Sequence, residues 1–433
     1  MTFAEPLRYT PSIDQLVDQV VTDLVEHNKN VLIVLPKGVS TSEIWELVRI
    51  ALSRRYIDIY ELSLNEYEGT PLELLGAYLE VAQIHNESWQ LEPLLDRAAG
   101  LRNELRVSYF DQLDQLAPEI QKQWLDIIRR WVNWTHTSAS RQLTALPICV
   151  IVQAESFSIL PKDDVYLAVY HWWGNTSCAD NRVLLRQSAN DRSCLTRWRE
   201  HVLPHISGGD NQLTRHLWED IGTSNQFIIE RLRAYAEERG WAKTELLGWD
   251  ALEISLLHGH YRDCPPHVPQ PLYKLWASGA LQWSDEHGLE LHSAALACLG
   301  CDDILRYRLW RGQMPLVLST VNHIRLSICE ALSQEYDRDW PLRWRDIEDE
   351  QLKQELGRDP NVCEFPELVS ILERCAGSVM RHRWHDLACK AKVMRNTIAH
   401  YKPVEFSVFQ ELWDMHQCAQ QSLKGAAKRR IGI

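Results

Sequence analysis

The segment from residue 31 to residue 62 contains two short apolar runs separated by a loop and a helical pattern. The run 31–35 is apolar and mostly β-branched, as in a strand buried on both faces. The polar loop 36–42 follows, then a helical pattern over 43–54 and a second strand-like run over 57–62. Two strands joined through a helix normally lie parallel in one sheet, with a right-handed crossover. This segment therefore predicts a β-α-β unit.

The length and composition indicate a soluble globular protein of several domains. At 433 residues the chain is too long for one ordinary domain. No apolar run approaches the length of a membrane span, and the start has no charged-then-apolar signal, so we expect a cytoplasmic protein without membrane contact. The eleven cysteines are an odd number without framework spacing, as expected for reduced thiols. The net charge of -13 argues against non-specific binding of nucleic acid by the whole surface.

The loop 36–42 lies where a phosphate-binding loop lies, between a buried strand and a helix. If Gly38 is a loop glycine and Ser42 is the metal-binding hydroxyl, Thr41 stands at the lysine of G-x-x-x-x-G-K-[ST]. Ser40 then stands where the preceding glycine belongs. Threonine cannot supply the positive charge that lysine places on the β- and γ-phosphates. The loop resembles that of the AAA+ and STAND branches of the P-loop NTPases, with a degenerate Walker A motif.

The runs 105–111 and 147–154 resemble the next core strands of such a domain. The first ends in Asp111, like a Walker B strand, with Asp114 three residues on and Gln112 in place of a second acid. The resemblance implies that Asp111 could hold Mg²⁺, and the nucleotide-binding candidates are Gly38, Thr41, Ser42 and Asp111. The alternative is that Asp111 and Asp114 begin a helix, since carboxylates favour helix N-termini. We predict a degenerate ATPase domain over 1–172, with ATP and Mg²⁺ as disfavoured cofactors and no ATPase activity.

The middle of the chain reads as helices followed by a hairpin. Helical patterns over 211–221 and 225–238, with Asp210 as a cap and Gly240 as a terminator, fit a helical lid over 173–245. A Pro-rich link, a helix over 271–278 and two alternating runs (281–283 and 289–291) predict a winged-helix-like module over 246–314. The acidic tip, Asp285-Glu286, disfavours phosphate contact, so a structural or protein-contact role is favoured.

Two sets of residues have the chemistry of metal ligands. One consists of four side chains that match no common zinc-finger spacing: His258, His260, Cys264 and His267. The other is Cys298 and Cys301, which have no second pair and fit a helix end at Gly300. We therefore predict no metal site.

From residue 315 to residue 423 the chain predicts a helical bundle. Apolar residues recur at three- and four-residue spacing in four stretches: 316–335, 365–377, 384–399 and 404–423. The polar stretch 338–361 is expected to pack as an excursion. The basic tail, 424–433, is expected to be disordered. The whole chain is thus predicted to be multidomain, with a parallel-sheet α/β domain and all-helical parts.

The third stretch ends in Arg395, Asn396 and His400, just before Pro403 stops the helix. The spacing R-x-x-x-x-H, with a polar residue after the arginine, resembles the HEPN superfamily. The resemblance implies that His400 moves a proton between the RNA 2′-hydroxyl and the leaving 5′-oxygen, while Arg395 stabilises phosphoryl charge. It also implies that Asn396 orients the scissile phosphate, that no metal is needed, and that two bundles form a homodimer.

The helical period sets a geometric condition on this motif. Positions five apart lie roughly 140° apart around a regular helix, so Arg395 and His400 cannot share a face. They need a helix end near His400, which Pro403 favours, or a partner subunit. The alternative is that Arg395 and Asn396 satisfy helix-end carbonyls and His400 packs on Tyr401. Basic residues nearby outnumber Asp386, the only acid between 381 and 403. They are the RNA-binding candidates Arg381, Arg383, Lys390, Lys392 and Lys402.

The order of these parts resembles bacterial antiphage and conflict proteins, in which a STAND-like switch controls a toxic effector. One hypothesis is a HEPN endoribonuclease of that kind, with protein partners from a defence operon. The other is a non-catalytic scaffold or regulatory subunit of a multiprotein antiphage or DNA-transaction complex.

Overall fold

The structure is a computed structural model that describes fourteen stretches of the chain: residues 11–64, 69–81, 89–101, 105–140, 143–156, 163–173, 181–183, 185–186, 193–241, 264–265, 267–284, 288–343, 350–375 and 379–431. The chain forms two compact units, each built from two segments. The first unit is Met1–Asp180 with Thr244–His292, and the second is Asn181–Lys243 with Ser293–Ile433. The predicted division into five consecutive segments stays a prediction.

The first unit contains a five-stranded parallel sheet with the order β2-β3-β4-β1-β5. Its strands are β1 Asn30–Leu35, β2 Asp58–Ser63, β3 Arg106–Asp111, β4 Ile148–Gln153 and β5 Leu167–His171. Its helices are α1 Pro11–Val25, α2 Thr41–Arg54, α3 Pro71–Tyr78, α4 Leu91–Gly100 and α5 Pro118–Ser140. The predicted β-α-β unit and the strands near 106–111 and 148–153 are confirmed. The parallel sheet is consistent with a P-loop-like domain.

Strand β1 lies inside the sheet, between β4 and β5, and all six of its residues are buried. Its one polar residue, Asn30, links it to its neighbours. The Asn30 amide donates to Thr135 Oγ1 on α5 (3.1 Å) and to the Tyr166 carbonyl before β5 (3.0 Å). Its oxygen accepts from the backbone N–H of Ile148 at the start of β4 (3.1 Å). One buried side chain therefore ties two strands and a helix together at this edge of the sheet.

The predicted hairpin is confirmed. Helix α9 (Tyr273–Ala277) precedes β6 Leu281–Ser284 and β7 Gly288–Leu291, which pair antiparallel. Gly288 has φ 71°, in the region that glycine tolerates best. The predicted tip residues Asp285 and Glu286 lie outside the described residues, as does most of the segment before the hairpin. The winged-helix assignment therefore stays a prediction.

The second unit is helical in its described parts. Its first helices are α6 Cys194–Ser207, α7 Asn211–Leu217 and α8 Asn225–Glu238, and after the hairpin come α10 Ser293–Leu299 and α11 Asp302–Tyr336. Asp210 caps α7 as predicted, accepting from the N–H groups of Gln212 (2.8 Å) and Leu213 (3.0 Å). Gly300 follows α10 with φ 77°, so the expected helix end at Cys298–Cys301 is confirmed.

Helix α11 begins earlier than predicted. The expected start was residue 316, just after Pro315, but the helix starts at Asp302 and contains the proline. Proline removes only one backbone hydrogen bond of the helix, and buried side chains on both sides of it, such as Leu309 and Leu316, hold the helix in the core. Asp302 and Asp303 in the first turn favour a helix start there.

The C-terminal part contains α12 Trp340–Arg343, α13 Glu350–Arg358, α14 Phe365–Arg374, α15 Val379–Ala399 and α16 Phe406–Ile431. The disorder predicted for the basic tail is wrong, because α16 continues to Ile431. The tail has no proline and is rich in alanine, lysine and arginine, which are good helix formers, and extending a helix costs far less than starting one. None of the helices in these described ranges is long and apolar enough for a membrane crossing.

Helices α6 and α11 approach closely at Gly312. A Cβ atom placed on Gly312 would lie 2.9 Å from Val202 Cα and 3.0 Å from the His201 carbonyl oxygen, both on α6. These are backbone atoms, which cannot move aside as the end of a flexible side chain can. The crossing therefore requires a residue without a side chain at this position of α11.

We expect Gly312→Ala to lower the free energy of unfolding by about 1–3 kcal/mol, since an added methyl must push two helix backbones apart. Gly357→Ala is the matched control on α13, where the nearest atom to an added Cβ is Leu342 Cδ1 at 3.6 Å. The control should be neutral or stabilising by up to about 1 kcal/mol, because alanine favours a helix. Urea denaturation of both variants measures the difference, and equal effects would contradict the crossing.

Candidate functional site

Helix α15 ends one residue before His400, as the motif required. The backbone N–H of Lys402 donates to the Thr397 carbonyl (3.2 Å), and that of Tyr401 donates to the Ile398 carbonyl (3.2 Å). Tyr401 has φ 58°. These bonds and this left-handed residue form a Schellman motif, the common way to end a helix, although glycine usually occupies the left-handed position. His400 is therefore the last half-helical residue, and the chain turns away directly after it.

Two side chains on α11 hold the chain on either side of Pro403. The Trp310 indole N–H donates to the Ile398 carbonyl (2.7 Å), in the last turn of α15. The Gln313 side-chain oxygen accepts from the backbone N–H of Val404 (2.7 Å), and Gln313 is fully buried. Trp310 and Gln313 are three residues apart, so they lie on neighbouring positions of one helix face. One turn of α11 thus fixes both ends of the connection between α15 and α16.

A third segment supports the start of α16. The Asn225 backbone N–H donates to Glu405 Oε2 (2.9 Å), and its side-chain amide donates to Glu405 Oε1 (3.0 Å) and to the Val404 carbonyl (3.2 Å). Gln313 Nε2 in turn donates to Asn225 Oδ1 (3.4 Å). The residues that follow the motif are therefore bonded to both α11 and α8.

The motif side chains themselves are exposed. Arg395, Asn396 and His400 all lie on the surface, and Arg395 Nη1 donates to Asn396 Oδ1 (3.4 Å). Within the described residues, no hydrogen bond joins Arg395 to His400. The arrangement can present a permanent cation, an amide and an imidazole to one ligand that spans the helix end, with Arg395 bonded to Asn396.

The alternative roles expected for these side chains are not the ones observed. The carbonyls of residues 396, 397 and 398 accept from backbone N–H groups and, at Ile398, from Trp310. They do not need Arg395 or Asn396 as donors. The ring that contacts Tyr401 is Trp310, with centroids 4.8 Å apart, in place of His400.

The basic residues near the motif differ in what they contact. Lys390 bonds to Glu411 and lies 3.9 Å from Asp386, and the bond to Glu411 raises the pKa of Lys390. Lys392 is half-buried and Lys402 is exposed. The side chains of Arg381 and Arg383 lie outside the described residues. Among the described lysine and arginine side chains from residue 390 to residue 402, Lys390 has acidic partners, whereas Lys392, Arg395 and Lys402 form no ion pair.

The loop between β1 and α2 differs from a phosphate-binding loop in its contacts. Gly38 has φ 96°, as a loop glycine can. Ser40 caps α2, its hydroxyl accepting from the Glu43 N–H (3.3 Å) and lying 2.8 Å from the Ser42 hydroxyl. The Gln153 amide, at the end of β4, donates to the Val39 carbonyl (2.6 Å). Gln153 therefore holds the loop against the sheet, and Ser40 occupies a backbone donor that a phosphate would use.

The charges around this loop do not fit a triphosphate well. Thr41 is the first residue of α2 and carries no charge, while Lys37 Nζ lies 3.7 Å from Glu155. Asp111 ends β3 and accepts from the Tyr109 hydroxyl (3.2 Å), and burial raises the pKa of Asp114. A short 3₁₀ turn follows β3, and α5 begins at Pro118, so these carboxylates do not cap α5. The described residues offer an acid for a metal but no lysine for the phosphates.

The four residues with zinc-ligand chemistry are not shown together. His258 and His260 lie outside the described residues. His267 Nε2 bonds to Asp163 Oδ2 (2.9 Å), and its Nδ1 lies 3.4 Å from His171 Nδ1. Burial and the nearby His267 lower the pKa of His171 to about 4. Within the described ranges no group of three or more side chains has metal-ligand geometry.

Comparisons with known proteins give only a distant structural similarity. No known protein family and no curated protein matches this chain. A structure of Drosophila ORC bound to GC-rich DNA and Cdc6 aligns with a TM-score of 0.28 and 12% identity, covering 94% of this chain and 70% of that chain. A structure of Drosophila ORC bound to poly(dA/dT) DNA and Cdc6 gives a TM-score of 0.28 and 13% identity, covering 96% and 70%. A TM-score of 0.28 does not establish a shared function.

Sequence reasoning missed the residues that hold the motif in place. Trp310 and Gln313 act through helix α11, about ninety residues earlier in the chain. A polar glutamine inside an apolar helical pattern was the available signal, because a buried amide needs partners. Gln153 is similar: the strand near 148–153 was predicted, but the bond from its last residue to the loop was not.

We expect Gln313→Met to lower the free energy of unfolding by about 1–3 kcal/mol, because it leaves the Val404 N–H without its acceptor. Gln334→Met on the exposed face of the same helix is the control and should change stability little. Hydrogen exchange of the Val404 amide should be faster in Gln313→Met only. Unchanged protection at Val404 would show that Gln313 does not hold this turn.

Proposed function

We propose that this protein is a metal-independent endoribonuclease whose active residues are Arg395, Asn396 and His400. The observation that carries the proposal is their joint exposure at a helix end whose backbone is fixed on both sides. A ribonuclease of this kind needs a proton-transfer group and a charge stabiliser at one phosphodiester, held still relative to each other. The bonds from Trp310 and Gln313 supply that rigidity. The resemblance of the motif to the HEPN superfamily supports the same reaction.

In the proposed reaction His400 takes the proton from the RNA 2′-hydroxyl or gives one to the leaving 5′-oxygen. The 2′-oxygen forms a bond to phosphorus as the 5′-oxygen leaves, so the product carries a cyclic phosphate. Arg395 donates hydrogen bonds to the phosphoryl oxygens as negative charge develops on them. Asn396 orients the scissile phosphate. Because positions five apart lie roughly 140° apart on a regular helix, we further propose that a homodimer lets one subunit supply Arg395 and the other supply His400.

The test is cleavage of single-stranded RNA by the purified chain in EDTA. We expect Arg395→Ala and His400→Ala each to lower the rate by at least about 100-fold, the contribution of a general acid–base group or a charge stabiliser. His323→Ala and Arg358→Ala are controls on exposed positions of α11 and α13 and should cleave as the parent does. Loss of activity on adding EDTA, or cleavage that survives both motif variants, would overturn the proposal.

A second candidate function is a non-catalytic scaffold or regulatory subunit of a multiprotein complex. The observation that favours it is the closed loop at Gln153 and Ser40, because one decayed site in a chain makes a second more plausible. No cleavage under any activating condition, together with a stable complex with neighbouring gene products, would decide for it. By analogy with the domain order of bacterial antiphage proteins, we propose that either function serves in bacterial defence.

We expect the first unit not to hydrolyse ATP. With threonine at the lysine position and the Val39 carbonyl held by Gln153, the loop lacks the charge and the free shape that the β- and γ-phosphates need. Calorimetric titration with ATP and Mg²⁺ should give no binding heat at micromolar protein. Tight binding or turnover would show that the degenerate loop still works, and would make the switch nucleotide-driven.

A further inference from the structure

Three aromatic rings form a continuous surface beside the motif. Tyr307 and Trp310 on α11 are stacked, with centroids 5.2 Å apart and planes at 28°, and Trp310 contacts Tyr401 at 4.8 Å and 46°. Tyr307 is 47% exposed and Tyr401 is 64% exposed, while Trp310 is half-buried between them. We call these three residues the aromatic surface. Its two outer rings face solvent, and its inner ring is fixed by the bond to Ile398.

Tyr401 has a backbone conformation that glycine usually occupies. Tyr401 has φ 58°, where helix ends usually carry glycine because a Cβ atom is strained there. The Schellman bonds need only the backbone, so the turn does not require an aromatic side chain. Tyr401 is mostly exposed, and its aromatic contact within the described residues is with Trp310. Tyr401 displays its ring to solvent between the exposed residues His400 and Lys402, which suggests a ligand for that ring.

We propose that the aromatic surface stacks an unpaired base of single-stranded RNA next to the phosphate that His400 and Arg395 act on. This inference rests on the proposed ribonuclease function and names its substrate class. Tyr401 directly follows His400, so a base on its ring lies within about one nucleotide of the reacting phosphate. Aromatic rings stack bases of any sequence, and they can do so only where the bases are not paired.

Charge near the aromatic surface favours a nucleic acid over an apolar protein segment. Lys402 follows Tyr401 and is exposed, and Arg395 lies on the last turns of the same helix. Exposed cations beside exposed rings match a ligand with alternating phosphates and bases. On a protein of net charge -13, such a patch also gives RNA a local place to approach. A second copy of the chain or another protein would gain less from these cations.

The experiment measures RNA affinity in the His400→Ala background, where cleavage does not interfere. Fluorescence anisotropy with a labelled single-stranded RNA should show about 5- to 150-fold weaker binding on adding Tyr401→Gly, the loss expected for one stacked base. Glycine suits the left-handed backbone, so this variant keeps the turn. Adding Tyr401→Trp instead should retain the affinity, because the ring is kept.

Tyr56 supplies a matched control. It also has φ 58°, it is 95% exposed, and it belongs to the first unit. Tyr56→Gly therefore makes the same chemical change at the same backbone geometry, and it should leave RNA affinity unchanged. An RNA with one abasic nucleotide at the stacked position should bind weakly to the parent and should lose nothing further with Tyr401→Gly.

Three results would overturn the inference. In the first, Tyr401→Gly binds the RNA as tightly as its parent. In the second, it weakens the binding of duplex RNA as much as that of single-stranded RNA. In the third, its loss of affinity follows the dissociation of a dimer in sedimentation velocity. The first result would show that Tyr401 serves only for packing. The second would show that the ligand base need not be unpaired, and the third would show that the Tyr401 ring contacts a second copy of the chain. RNA binding through Tyr401 without cleavage by the parent chain would support stacking while the nuclease proposal fails. Cleavage together with RNA affinity that does not depend on Tyr401 would support the nuclease proposal, and the stacking proposal would fail.

Discussion

The connection between α15 and α16 depends on two hydrogen bonds from one turn of α11. Trp310 donates a second hydrogen bond to the Ile398 carbonyl before the turn, and Gln313 accepts from the first backbone N–H after Pro403. Proline cannot donate, so without Gln313 the chain would pass through the core at Val404 with an unpaired N–H, which is costly in a buried place. The position of His400 on the surface follows from these bonds, since both neighbouring segments are held.

The helix end also determines which side chains surround His400. On a continuous helix Arg395 and His400 would point roughly 140° apart. Because α15 ends at Ala399, the chain leaves the helical path directly after His400, and the Tyr401 ring contacts Trp310. The helix end brings the histidine, the tyrosine and Lys402 to the surface together. The Schellman motif is thus a common way to end a helix, and the exposed side chains on it are specific to this chain.

The first unit presents a different balance. Asn30 ties β1 to its neighbours, so the parallel sheet is well determined, while the loop after β1 lacks the charge that a triphosphate needs. Gln153 holds the loop at the Val39 carbonyl, and Ser40 accepts from the Glu43 N–H, a donor that a phosphate would otherwise use. The proposed chemistry therefore rests on the second unit.

Much of the local structure could be predicted because it follows from short-range patterns. Strands β1 to β4, helices α2 and α8, the hairpin and the end of α15 were all visible in apolar periodicity, caps and proline. Strand β5 was missed. Helix α11 was cut short at Pro315, because core packing outweighs the loss of one hydrogen bond.

The sequence by itself determined the elements, the residue types at the motif and the missing lysine at Thr41. Only the tertiary structure decided which groups hold the motif, because Trp310 and Gln313 reach it from a helix about ninety residues away. The same holds for the aromatic surface, whose rings come from two helices, and for the closed loop at Gln153. Periodicity records how a residue relates to its near neighbours in the chain, whereas these contacts depend on how distant helices and strands pack.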